Sequence, residues 1–325
     1  MRLPRRRFLE AAVGAVAFST TSPAAAAQIY PSRPVHIIVG YPAGGPQDVV
    51  ARLISQWLSE RLGQQFIVDN RAGAGGNVGA EMVVNAPPDG YSLLLTGSPN
   101  VINITLYDKL NFVFLRDIVP VAAIMRVPLV LEVNPSLPAR TVPEFIAYVR
   151  ANPGKINFAS AGIGTPQHAA GELFKMMTGV NMLHVPYRGG APALVDLMAG
   201  EVQVMLDTTP ASMPFIQAGK LRALGVTTAM RWSGLPELPT IAEFVPGFEA
   251  TSWYGIGAPK HTPSAIVERL NAEINAGLAE AALRTRLAEL GGAMLPGSPA
   301  EFGQLLAEEA AKWGKVVAFA GMRAQ

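Results

Sequence analysis

No cysteine occurs anywhere in the 325 residues, which excludes disulfides, thiolate nucleophiles, iron–sulfur clusters and lipidated cysteines. Charge is also scarce: 15% of the chain, with 26 basic residues against 24 acidic ones. Four of the arginines (Arg2, Arg5, Arg6, Arg7) and one glutamate (Glu10) lie in the first ten residues, and without them 22 basic residues face 23 acidic ones. A body this close to neutral has no electrostatic reason to seek nucleic acid or an anionic membrane surface. The four histidines, His36, His168, His184 and His261, stand far apart without metal-ligand spacing, and no G-x-S-x-G elbow is present. Neither a metal nor a cofactor is expected.

What is present is a large apolar reserve. Half of the residues are apolar, and a chain of this length is expected to form two domains rather than one. The N-terminus, RRRFLEAAVGAVAFSTTSPAAAA, has a basic head, an apolar stretch from Ala11 to Phe18 too short to span a bilayer, and a run of small residues. That is the plan of an export signal, with cleavage expected near Ala27, and Arg5-Arg6-Arg7-Phe8-Leu9 also fits a twin-arginine signal. After cleavage no direct membrane insertion is expected.

From Val35 onward short β-branched runs alternate with helical patterns, which predicts an α/β fold with mostly parallel sheets and helices on both faces. VHIIVG, QFIVDN and YSLLLTG belong to a first series. PLVLEVN, KINFASA, MLHVPY, VQVMLD and LRALGVT belong to a second, and ATSWYGIGAP with two long C-terminal helices completes the first. The chain therefore crosses between lobes twice, near Met125 to Val127 and near Ala250 to Ser252. The expected division is residues 1–27 as the signal, 28–125 with 253–325 as lobe 1, and 126–252 as lobe 2.

Each lobe contains a strand, a glycine loop and a helix that opens with Pro-Gln. After YPAGGPQD, Val49, Val50, Leu53, Ile54, Trp57, Leu58 and Leu62 fall on one stripe, and Gly63 stops the helix. Pro46 suits the first helical position because its missing N–H would have had no intrahelical partner, while Gly44 and Gly45 let a ligand approach the main chain. In NFASAGIGTPQHAAGELF, Gly162 and Gly164 repeat that part, Thr165 is the N-cap and Pro166 takes the first position. A helix start carries exposed N–H groups and about half a positive charge, so two of them across a cleft would hold an anion without lysine or arginine.

Neither loop fits a nucleotide: YPAGGPQD has no Walker lysine, and GIGTPQ lacks the third glycine of a dinucleotide fingerprint. AGAGGNVGAE misses that spacing by one residue and reads as a turn for close helix–sheet packing. Asp48 sits in the first turn of its helix and either caps N–H groups or reaches the ligand; its charge, which repels an anion, favours the cap. His168 occupies the matching place in the second helix, as a polar first-turn residue or a ligand contact. Asp207 ends VQVMLD and either binds a cationic or hydroxyl part of a ligand or caps the helix beginning near Pro210. Ser98 and Asn100 are neutral donors after YSLLLTG, and Arg188 is a surface residue or a carboxylate clamp.

These motifs, with VDNRAGAGGNVGAE, APPDGYSLL, HVPYRGGAPALVDLMAGEVQVMLD and AGKLRALGVTTAMR, resemble the Bug or TctC family, the extracytoplasmic solute-binding receptors of tripartite tricarboxylate transporters. The likeness runs from about Pro34 to the C-terminus. It implies a two-lobed periplasmic-binding-protein fold, type II-like, closing about a hinge on a small organic carboxylate, a dicarboxylate by family habit, held largely by main-chain amides of the two loops. By position it implies contacts from Tyr41, Ala43, Gly44 and Gly45, and from Ser160, Ala161, Gly162, Gly164, Thr165 and His168. It also implies a periplasmic monomer that delivers its ligand to membrane transporter subunits. Arg188 stands where relatives more often carry lysine. Two alternatives remain beside transport: a receptor that signals to a sensor protein, and a periplasmic hydrolase or isomerase using His168 and Asp207, which lacks a nucleophile.

Overall fold

The computed structural model describes residues 30–324; the export-signal expectation for residues 1–27 lies outside them. The opening series is β1 (Val35–Val39), α1 (Pro46–Leu62), β2 (Phe66–Asn70), α2 (Asn77–Val84), β3 (Ser92–Gly97), α3 (Ser98–Leu106) and the single turn α4 (Phe114–Asp117). The long strand β4 (Ile118–Val133) leads into α5 (Val142–Ala151), β5 (Asn157–Ser160), α6 (Pro166–Thr178), β6 (Leu183–Pro186) and α7 (Gly190–Ala199). Then come β7 (Val204–Thr208), α8 (Thr209–Gln217) and β8 (Arg222–Val226). Strand β9 (Thr251–Pro259) returns, followed by α9 (Ser264–Ala279), α10 (Ala281–Glu289), the short β10 (Ala293–Met294) and α11 (Pro299–Ala320).

The strands follow the order β2-β1-β3-β9-β4-β7-β5-β6, with β8 and β10 also paired to β4. Both flanks are parallel: β1 runs with β2 and β3, and β5 with β6 and β7. The middle is antiparallel. Strand β4 carries the chain into the second half and β9 brings it back, so the two lie side by side in opposite directions, from Ile118 opposite Pro259 to Pro128 opposite Thr251. Beyond that point Leu129 to Val133 pair with β7 and β8 instead. The fold is α/β and two-lobed, with mixed rather than uniformly parallel pairing.

Burial explains why the elements form where they do. On α1 the stripe Val50, Leu53, Ile54 and Leu58 is buried against β1, β3 and helices α9 and α10, and each such side chain contributes about 1.5–3 kcal/mol by leaving water. Leu58→Ala would cost about 2–5 kcal/mol, because it adds a cavity to the lost transfer energy. All nine residues of β9 are buried. The opposite face of the first half packs α2, α3 and α11, and that core continues without a break into α5 and α6 of the second half through Leu106, Phe145, Phe158, Phe174, Phe302 and Trp313. Helix α11 touches both α3 and α6, so the lobes share a spine behind the cleft.

The turn at AGAGG is a close-packing device. A Cβ on Gly40, just after β1, would sit 2.7 Å from Gly76, and one on Gly79 would sit 2.9 Å from Gly40.

Candidate anion-binding cleft

Strands β1 and β5 end at the same edge of their half-sheets, and each is followed by a glycine loop and a helix whose first residue is proline. The two loops share a construction beyond that shared Pro-Gln. Gly44 and Gly164 both take positive φ, 84° and 78°, a region open to glycine at little cost. In each helix the third residue then turns back to the glycine four places earlier. Asp48 Oδ2 accepts the Gly44 N–H at 2.9 Å, and His168 Nδ1 accepts the Gly164 N–H at 3.3 Å.

The two acceptors differ in charge. Asp48 is buried, and the hydrogen bond from Arg52 Nε at 2.9 Å, helped by the Gly44 N–H, outweighs desolvation and holds its carboxyl below the usual range. It is an anion at neutral pH. Burial, reinforced by His184 and Lys175, pulls His168 down to about 3, so the ring is neutral. With Nδ1 accepting, its proton sits on Nε2, 3.9 Å from Glu172 Oε1. The His168 ring stacks on His184 with centroids 3.7 Å apart, and His184 is itself lowered by burial to about 4 while its Nε2 bonds Ser160 Oγ at 2.6 Å.

Between the loops lies a cavity of about 750 Å³. Both Pro-Gln pairs, Pro46-Gln47 and Pro166-Gln167, line it. Of the residues singled out in the sequence, Tyr41, Ala43, Gly45, Ala161, Thr165 and Asp207 also line it. Gly44, Asp48, Ser98, Ser160, Gly162, Gly164 and His168 do not: Asp48, Ser98, Ser160, Gly164 and His168 are buried, Gly162 is half-buried, and Gly44 is exposed outside the lining. The physical reason is internal satisfaction. The N–H groups of Gly44 and Gly164 are already donated to Asp48 and His168, and that of Gly162 to Ser160 Oγ at 3.1 Å. Ser98 is fully buried, its Oγ accepting the Trp253 N–H at 3.0 Å and so tying α3 to β9. Asn100 Oδ1 accepts the Gly97 N–H at 2.9 Å. Arg188 is exposed and outside the lining.

The main-chain donors that remain follow the prolines, since the first N–H groups of a helix have no intrahelical partner. Helix α1 has no side-chain cap, whereas Thr165 Oγ1 accepts the His168 N–H of α6 at 3.4 Å. Among the described residues lining the cavity there is no lysine, arginine or histidine; Asp207 is the one charged type. An acid–base pair of His168 and Asp207 has no footing here, because His168 is turned away against Gly164 and His184.

Sequence reasoning missed one wall. Leu194 and Met198 of α7, Ala211 and Phe215 of α8, and Tyr254 of β9 close the far side of the cavity. On a helical pattern the first four look like any core stripe, and only the fold shows that they face a gap.

The family comparison supplies the rest. The sequence matches the TctC family, the tripartite tricarboxylate transporter family receptor, over residues 50–322. It is 37% identical over 300 residues to protein BugT of Bordetella pertussis, covering 91% of this chain and 92% of that protein. The fold superposes on Rpa4515 of R. palustris, solved with adipate, with a TM-score of 0.79 and 41% identity, covering 90% of this chain and 99% of that one. MatC from Rhodopseudomonas palustris, solved with bound malate, gives 0.77 and 34%, covering 89% and 100%. Built on a two-lobed fold around a cleft with two matching helix starts, the chain belongs to the TctC family of solute-binding receptors, and that family is one of receptors rather than enzymes.

Proposed function

We propose that this protein captures a small organic carboxylate, with a dicarboxylate as the leading class, in the cavity between its lobes and hands it to a membrane transporter. The observation that carries the reading is that both Pro-Gln helix starts line one cavity that has no basic side chain in its lining. Peptide dipoles are then the source of positive potential, about half a charge at each start. The relatives solved with adipate and malate support the ligand class.

In this reading residues 28–125 with 253–325 form one lobe and 126–252 the other, and the crossings in β4 and before β9 form the hinge. Arg126 and Glu249, 2.7 Å apart, pair beside those crossings. Residues 1–27 act as the export signal, the mature chain is a periplasmic monomer, and no described helix is long and apolar enough to cross a membrane. In this reading the partner is a separate membrane protein.

A thermal-shift screen against mono-, di- and tricarboxylates, amides and sugars tests the assignment, because a ligand at about 100 times its Kd stabilises by roughly 2.7 kcal/mol. Carboxylates are expected to raise Tm. A rise with neutral compounds alone would sink the reading.

A further inference from the structure

Asp207 is an acidic residue in the wall of a cavity read as anion-binding, and its two oxygens are treated very differently. Oδ1 accepts the Gln167 Nε2–H at 3.0 Å and the Thr208 N–H at 2.7 Å. Oδ2 is buried and has no hydrogen-bond partner, in a residue only 1% exposed. It faces Gly190, where an added Cβ would lie 3.7 Å away, and Gly190 lines the same cavity. An ionised carboxylate seeks donors on both oxygens, whereas a carboxylic acid needs donors on one oxygen and an acceptor for the hydrogen on the other. The pattern at Asp207 is that of the acid, with the acceptor still to come.

We propose that Asp207 is protonated on Oδ2 when a ligand is held and donates that hydrogen to a ligand carboxylate, so that capture takes up one proton. The proposal rests on the carboxylate reading above and adds a proton to it. The proton comes from solvent on binding and returns on release; no covalent bond to carbon forms or breaks. A bound anion beside Asp207 makes the charged form of Asp207 costlier, which is why the two events are linked.

The surroundings act in the same direction. Burial raises the Asp207 carboxyl above its ordinary value. Strand β4 sets Glu132 against it, a fully buried carboxyl raised by burial and by Asp207, with the Ser212 hydroxyl on one oxygen at 2.8 Å. From α6 the facing group is the neutral Gln167, from α7 Gly190, and the adjoining start of α8 brings Thr208 and Thr209. His168, next to Gln167 on α6, is neutral and engaged with Gly164.

Calorimetric titration with adipate, and with malate if adipate does not bind, in buffers of different ionisation enthalpy between about pH 6.5 and 8.5 counts the protons while the ligand carboxylates stay ionised. Uptake approaching one proton is expected, with affinity weakening as pH rises, by up to about tenfold per pH unit above the Asp207 pKa of the free protein. Asp207→Asn, which keeps a donor, should bind with an affinity flat across the range and take up no proton; Glu132→Gln should keep the uptake. Binding without proton uptake in the unmodified protein overturns the proposal and leaves carboxylate capture standing. Uptake that survives Asp207→Asn, or disappears in Glu132→Gln alone, also overturns it by placing the proton elsewhere. If no carboxylate in the screen binds, the proposal falls together with the reading beneath it.

Discussion

The loop at Gly44 and the loop at Gly164 are built to one plan and finished differently. Both have a left-handed glycine, a proline-led helix and a third helical residue reaching back to the glycine N–H. In the first loop that residue is an aspartate paired with Arg52, and the helix start has no side-chain cap. In the second it is a neutral histidine locked in a stack, and Thr165 caps the helix. The difference teaches where the positive potential is stronger. Asp48 cancels part of the α1 dipole, while nothing charged in the first turn opposes that of α6.

Space separates the loops further, and it supplies the largest expected effect. A Cβ on Gly164 would sit 2.4 Å from Leu106 Cδ2, whereas a Cβ on Gly44 would meet nothing within 4 Å. Gly44→Ala should cost only the left-handed strain of about 1–2 kcal/mol. Gly164→Ala should add an overpacking cost and reach about 2–5 kcal/mol in chemical denaturation, because Leu106 is buried and any shift of its side chain disturbs the core around it. Adding Leu106→Ala to Gly164→Ala isolates the clash: the double mutant should fall short of the sum of its parts. Equal costs for the two alanines would erase the distinction.

The charge difference predicts an asymmetric acid response. His168 and His184 are lowered to about 3 and about 4, below the unfolded value of roughly 6.5, so an unfolded chain binds protons that the native one refuses. Their contribution to stability is present above about pH 6.5 and is lost as pH falls toward the folded values. Asp48, lowered chiefly by Arg52, keeps its contribution until pH falls below the ordinary aspartate range. Stability followed from about pH 7 to 4.5 should therefore decline less steeply in His184→Gln, while Asp48→Asn should leave that window unchanged. A steeper decline in His184→Gln would contradict the neutral stack.

How much of this was legible in the sequence follows from the kind of signal each part leaves. The loops are local: Pro46-Gln47 and Pro166-Gln167 announce helix starts because proline can occupy a first helical position. The strands flanking the sheet were readable for the same reason. Strand β4 was not readable at its full length, since its first half, Ile118 to Val127, is specified by pairing with β9 more than a hundred residues later. Helix α3 was also missed; SPNVINITL is rich in β-branched residues and polar ones, and its burial, not its propensity, makes it helical. The expectation that Gly44 and Gly164 present their own N–H groups missed the return bonds from Asp48 and His168, which require the helix turn to be seen in three dimensions.

A smaller effect tests the dipole argument itself. Asp48→Asn preserves an acceptor for the Gly44 N–H but removes the negative charge from the α1 start. Carboxylate affinity should then rise about two- to fivefold at low ionic strength, the equivalent of roughly 0.3–1 kcal/mol, and the gain should shrink in salt. An unchanged affinity would mean that the first loop holds no charged part of the ligand.

The smallest expected change in stability also joins the two loops most directly. Gly45 has extended φ and ψ of −77° and 169°, close to the −75° and 158° of Thr165, and a Cβ there would make only ordinary contact, 3.6 Å from the Pro42 carbonyl. Gly45→Ser should therefore install in α1 the cap that Thr165 gives α6, stabilising the fold by a few tenths of a kcal/mol. The hydroxyl would occupy an N–H group that the first loop otherwise leaves for the ligand, and Gly45 lines the cavity. Thermal melting of the free protein should improve while the shift on adding carboxylate diminishes. The opposed signs are the point: a cap that raised both would show that the uncapped helix start has no part in binding, because stability and capture compete only if they use the same N–H.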